Sequence, residues 1–221
     1  MRAPANASRL FALLLLSTVA SVAVQGVAGE GDVRNVLVTA LAAASLLLAL
    51  RAAELKPRLF GVAAVAATAI VVVSLLRAFG ADIGEGAWRT MNAALVIVAP
   101  PAVVVAVVRD LRSSAQVRLS AVAGVLSLYM LIGMAFAFTY GAIDRFGDEA
   151  FFADGNLATV SNCLYFSFTT LTTVGYGDFA AGTELGHTLA VFEALIGQIY
   201  LVTIVSLIVS NLGRPARRPG T

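Results

Sequence analysis

Long apolar runs separated by short polar segments organise this chain. Six runs have the length of a membrane-crossing helix, which takes about 20 residues. They are Leu10–Ala28, Val33–Ala53, Leu59–Ala78, Thr90–Val108, Leu119–Tyr140 and His187–Leu212. A shorter run, Leu157–Leu171, lies between the fifth and sixth. At 1.5 Å per residue it cannot cross an apolar core about 30 Å thick. It is predicted to enter and leave on one side, as a re-entrant helix whose following backbone is satisfied by protein or a wet cavity. The predicted fold class is an all-α membrane protein: six transmembrane helices, with a re-entrant helix and a Gly-rich loop between helices 5 and 6. Residues 1–118 form a four-helix N-terminal region, 119–212 a second region, and 213–221 a short tail.

Composition agrees with this pattern. The chain is 59% hydrophobic and 13% charged, whereas soluble domains are about a quarter charged. Met1–Gly29 has features of a secretory signal, with Arg2 and Arg9 ahead of Leu13–Leu16. Its apolar run outlasts the usual signal core of about 7–15 residues, so it is read as a retained span. With the N-terminus on the cytoplasmic side, Arg2, Arg9, Arg51, Lys56, Arg58, Arg109, Arg112, Arg118, Arg214, Arg217 and Arg218 fall inside. Only Arg34, Arg77, Arg89 and Arg145 fall outside. This bias predicts both termini in the cytoplasm and a multi-pass protein of a plasma membrane, the inner membrane if bacterial. Basic clusters between apolar runs do not form a soluble basic face, so nucleic acid is not an expected partner. Cys163 and His187 are single, which makes a zinc or copper site improbable and an intrachain disulfide impossible. No enzymatic activity and no bound cofactor are expected.

The densest chemistry is Thr172-Thr173-Val174-Gly175-Tyr176-Gly177-Asp178. A dehydrated potassium ion needs several oxygens at fixed spacing, and main-chain carbonyls of an extended turn supply them. Gly175 and Gly177 permit backbone angles that aim consecutive carbonyls at one axis. The expected ligands are the carbonyls of Thr173, Val174, Gly175 and Tyr176, with the Thr173 hydroxyl at the inner end. Val174 and Tyr176 side chains would hold the strand from behind. One strand supplies one wall, so coordination requires four copies.

This motif, after a short helix and before a spanning one, resembles the pore domain of the potassium channel family. The resemblance runs over about Leu119–Leu212 and includes Tyr165-Phe166-Ser167-Phe168-Thr169-Thr170-Leu171. It implies a homotetramer in membrane lipid, with one central pore, Thr173–Gly177 as selectivity filter and K+ as the permeant ion. Tyr165 and Phe166 then match an aromatic pair that braces the filter, where many members carry two Trp. Thr169 stands where some members place a carboxylate behind the filter. Thr172 and Asp178 flank it as support. Gly197 matches an inner-helix glycine associated with a gating hinge, although close packing through a small residue explains it equally well. Glu193 lies within the last span, where a hydrogen bond to the back of the short helix is the favoured reading over an ion-pathway role. Thr203, Ser206 and Ser210 share one helix face, which lines a cavity or bonds back to the helix. Two other readings remain: a component of a potassium transporter, which typically builds four filter-like loops into one chain, and a non-conducting regulatory subunit.

Six spans with a pore between the last two also fit a voltage-gated arrangement. A voltage sensor needs several basic residues at regular steps in the fourth span, each contributing about 2.3 kcal/mol per 100 mV. Met91–Val105 contains none, and Arg89 and Arg109 flank it. Pro100 and Pro101 favour a kink there. We therefore predict currents without steep voltage dependence. Gating-current measurement is expected to find no such charge movement; a gating charge of several elementary charges per tetramer would contradict this.

Overall fold

The computed structural model describes residues 7–27, 31–54, 56–81, 91, 94, 97–99, 102–106 and 119–206. We number its complete helices in chain order. They are α1 (Ala7–Val27), α2 (Asp32–Ala52), α3 (Pro57–Ala78), α4 (Leu119–Phe146), α5 (Val160–Leu171) and α6 (Glu184–Tyr200). A π-helical segment, Leu201–Val205, continues α6. Among the described residues, five helical stretches are long and apolar enough to cross a membrane. They correspond to the first, second, third, fifth and sixth predicted spans. Of the predicted span Thr90–Val108, only part lies among the described residues, including helical turns within Ile97–Ala106. Among the described residues there is no strand, only an isolated antiparallel bridge between Phe152 and Ala181.

The helices pack in a chain of neighbours. α3 rests on α2, α2 on α1, α1 on α4, and α4 on α5, which also touches α1 and α6. Apolar attraction between helices is weak in lipid, so small residues and buried hydroxyls matter more. Ala42, Ala49 and Ala53 are almost wholly buried, which lets backbones approach closely. Ser17 Oγ and Ser45 Oγ lie 2.8 Å apart and join α1 to α2. Pro57 sits in the first turn of α3, where its missing N–H costs nothing. Beside that turn, the Arg51 guanidinium lies 5.2 Å from the centre of the Phe60 ring.

Helix ends differ from the sequence expectation for local reasons. α4 runs past Tyr140 to Phe146, and the Gly147 amide then bonds the Ile143 carbonyl at 2.7 Å. α5 starts at Val160 rather than Leu157 because Thr159 is extended and its hydroxyl accepts from the Asn162 amide. α6 starts at Glu184, three residues before His187, because the Thr183 hydroxyl caps the Gly186 amide. Each cap satisfies a donor that the first helical turn leaves open.

The segments flanking α5 are tied together at one end of the bundle. The Ala153 amide donates to the Ala180 carbonyl and the Gly182 amide to the Phe151 carbonyl, at 3.0 and 2.7 Å. Asp144 Oδ1 accepts from the Phe151 amide. Below this tie, Phe151 is fully buried between Tyr140, Phe152 and Phe166. Stacked and edge-on rings contribute beyond their area. We predict that Phe151→Ala costs about 3 kcal/mol and lowers the thermal unfolding midpoint of the detergent-solubilised protein; an unchanged midpoint would show that this cluster does not hold α4 to α5.

Candidate functional site

The loop 172–178 begins where α5 ends. A helix leaves its last four carbonyls without intrahelical partners, and at membrane depth those groups need protein or a water-filled cavity. Here all four have partners. Phe168 O accepts from the Thr172 amide and hydroxyl. Thr169 O accepts from the Val174 and Gly175 amides at 2.9 and 3.1 Å. Thr170 O accepts from the Thr173 amide, and Leu171 O accepts from the Tyr129 hydroxyl of α4. The helix end thus folds the first half of the loop back over itself.

The backbone then alternates. Thr173, Gly175 and Gly177 have φ of 58°, 52° and 82°, whereas Val174 and Tyr176 are not in the positive-φ region. In an ordinary strand, successive carbonyls point to opposite sides. Reversing the sign of φ at every second residue turns alternate peptide planes over, so consecutive carbonyls can share one side. Glycine adopts positive φ freely, but threonine does so at a cost. Thr173 is held there by the hydrogen bond from its amide to the Thr170 carbonyl and by Gln198, whose side-chain amide donates to the Thr173 hydroxyl at 2.9 Å.

Other residues singled out in the sequence fall around this loop. Tyr165 donates to Asp178 Oδ2 at 2.8 Å, and its ring is nearly parallel to that of Tyr176, centroids 6.3 Å apart. Phe166 belongs to the aromatic cluster with Tyr140, Phe151 and Phe152. Tyr165 also packs edge-on against Phe179, which meets Phe152, so the two adjacent aromatics join one ring network by different partners. Thr169 supports the loop through its carbonyl, while its hydroxyl bonds Phe166 O. The Thr172 hydroxyl turns back to the helix.

Gly197 packs against the end of α5. A Cβ there would collide with the Leu171 carbonyl oxygen. This is the close-packing role that a small residue permits. Glu193 is fully buried and bonds Ser167 of α5 and Tyr140 of α4, the expected contact with the back of the short helix. Thr203 lies in the π-helical segment and its hydroxyl donates back to the Ile199 carbonyl. Ser206 follows that segment and is exposed; Ser210 lies outside the described residues. Gln198, Tyr129 and Ser167 were not anticipated. Gln198 alone carried a signal, as an amide inside an apolar run next to Gly197.

The loop is exposed throughout in the single chain, with Val174 at 53% and Tyr176 at 71%. Large apolar residues of α6, among them Val191, Phe192 and Ile199, are likewise uncovered. Among the described residues, no cluster of three or more His, Cys, Asp or Glu side chains is arranged to hold a metal ion.

Comparison with known proteins bears on this region. Residues 124–214 match a family model described as "Ion channel". Over 103 residues the chain is 29% identical to the calcium-activated potassium channel slowpoke of Drosophila melanogaster. That alignment covers 47% of this chain and 8% of the fly protein, so the chain spans a small fraction of that relative's length. No solved structure matches significantly. The apolar helices and the family match together describe a multi-pass membrane protein. Residues 124–214 are thus similar to an ion-channel family, and part of the chain is similar to a potassium channel.

Proposed function

We propose that this protein is a potassium-selective channel subunit that conducts passively through a pore shared by four copies. The observation that carries this reading is the alternation of φ along Thr173, Gly175 and Gly177. It suits the carbonyls of Thr173, Val174, Gly175 and Tyr176 to face one axis as ion ligands, with the Thr173 hydroxyl as the innermost. Carbonyl oxygens at repeated spacing can replace the hydration shell of K+ and release the ion to the next site.

Several features support the reading. α5 has 12 residues and a length of about 18 Å, too short to cross a bilayer, so it serves as a re-entrant pore helix. Its C-terminus runs directly into the loop, and the partial negative charge of a helix C-terminus favours a nearby cation. Tyr165, Tyr176 and Asp178 form a side-chain wall behind the loop. One loop is a quarter of a ring, and the uncovered surface of the loop and of α6 suits contact with further copies in a homotetramer. On this reading K+ is the permeant ion, no resident cofactor is needed, and lipid covers the outer helices.

Gln198 joins the proposed site as the residue that orients the innermost hydroxyl. Gly197 is assigned to packing against Leu171. Gating by bending at Gly197 is not needed to explain the glycine.

The test is flux through liposomes containing the purified protein. Potassium and rubidium are expected to pass and sodium to be held back, as coordination of a dehydrated ion by carbonyls favours. Equal passage of sodium would overturn the selectivity. Cross-linking in the same membranes is expected to end at four subunits, and a conducting monomer would contradict the shared pore.

A further inference from the structure

Glu193 of α6 is fully buried, and its carboxyl is the meeting point of three helices. Tyr140 Oη of α4 lies 2.6 Å from Oε2. Ser167 Oγ of α5 lies 2.5 Å from Oε1. The same Ser167 Oγ lies 2.7 Å from the carbonyl oxygen of Gly133 on α4. Each of these contacts joins two oxygens at hydrogen-bond distance, and each needs one proton between them.

The protons can be counted. The Tyr140 hydroxyl supplies the one to Oε2. A carbonyl has no proton to give, so Ser167 must donate to Gly133 O. Serine has a single hydroxyl proton. The proton between Ser167 Oγ and Oε1 must then come from Glu193 itself. An ionised carboxyl only accepts. It would leave one of the two Ser167 contacts with lone pair facing lone pair.

We infer that Glu193 is held as the neutral carboxylic acid, and that in this form it is the positioning residue that clamps α5 between α4 and α6. The proton chain runs Tyr140 to Glu193, Glu193 to Ser167, and Ser167 to Gly133. Among the described residues, the hydrogen-bond partners of the carboxyl are the two neutral hydroxyls. Burial of a carboxylate without a cationic partner is costly, whereas a neutral acid with satisfied hydrogen bonds is tolerated. The titratable groups facing this cluster are Tyr140 and Tyr129 of α4 and Cys163 of α5. On α6 itself, His187 is engaged with the Ala181 carbonyl and Tyr200 with the Val125 carbonyl.

The clamp acts at a distance from the loop. Ser167 is two residues before Thr169, whose carbonyl anchors Val174 and Gly175. Glu193 is one helical turn from Gly197, which meets the α5 terminus. Losing the carboxyl proton would therefore loosen the helix on which the loop is built.

The experiment compares the native protein with Glu193→Gln and Glu193→Val in lipid. A glutamine amide reproduces the neutral acid, since its oxygen accepts from Tyr140 and its NH2 donates to Ser167. In infrared difference spectra at neutral pH, native protein is expected to show the carbonyl-stretch band of a protonated carboxyl, which Glu193→Gln lacks. Potassium flux is expected within about twofold of native for Glu193→Gln and about tenfold lower for Glu193→Val, the effect of leaving buried hydroxyls without a partner. If Glu193→Gln removes no such band, or is as impaired as Glu193→Val, the neutral clamp is wrong. The flux comparison rests on the channel reading, but the spectrum does not. A protein that conducts nothing yet keeps the band would overturn that reading and leave this one standing.

Discussion

Everything at this site depends on how a short helix ends inside a membrane protein. Its last carbonyls have no partner within the helix, and here the chain itself supplies the donors. α5 meets this demand by folding its own continuation back on itself: amides of Thr172 through Gly175 close on Phe168, Thr169 and Thr170. Leu171 is left over and takes the Tyr129 hydroxyl. That closure puts Thr173 at positive φ and starts the alternation that Gly175 and Gly177 continue. The loop geometry is a consequence of the helix end, and the neighbouring helices are needed to hold that end in place. Gly197 gives the room and Tyr129 the last donor.

The same logic explains which neighbours are buried polar groups. Lipid drives helices together weakly, so α4, α5 and α6 are joined by directed bonds: Tyr140 and Ser167 on the Glu193 carboxyl, Tyr200 on the Val125 carbonyl, Tyr129 on Leu171. α1 and α2 share the Ser17–Ser45 contact, and α1 reaches α4 and α5. Of the N-terminal helices, α1 thus packs against the helices that carry the loop, and α2 packs on α1.

Much of this was legible in the sequence, because the relevant signals are strong in membranes. Uninterrupted apolar length marks the spans of α1, α2, α3, α4 and α6, and the shortness of Leu157–Leu171 marks α5. Glycines two apart, at 175 and 177, announce repeated positive φ. Other features were not legible, since they depend on which face of a helix meets which neighbour. Tyr165 and Phe166 are adjacent in sequence but take different partners, Asp178, Tyr176 and Phe179 for one and Tyr140, Phe151 and Phe152 for the other. Gly197 reads equally as hinge or packing residue until Leu171 is seen against it. Thr203 shares a helical face with Ser206 in sequence, but the π-helical turn changes that spacing and its hydroxyl is spent on Ile199. Helix ends shifted by three to six residues because caps at Thr159 and Thr183, and the continuation past Tyr140, are local hydrogen-bond choices that hydropathy does not encode.

The central claim is that the Thr173–Tyr176 carbonyls of several copies face a common axis and hold a dehydrated cation there. The most direct measurement is an experimental structure of the protein in membrane-like lipid with thallium replacing potassium, read by anomalous scattering. The account predicts a row of cation densities on a fourfold axis, level with the carbonyls of residues 173–176. An axis without such densities, or loop carbonyls turned away from it, would contradict it.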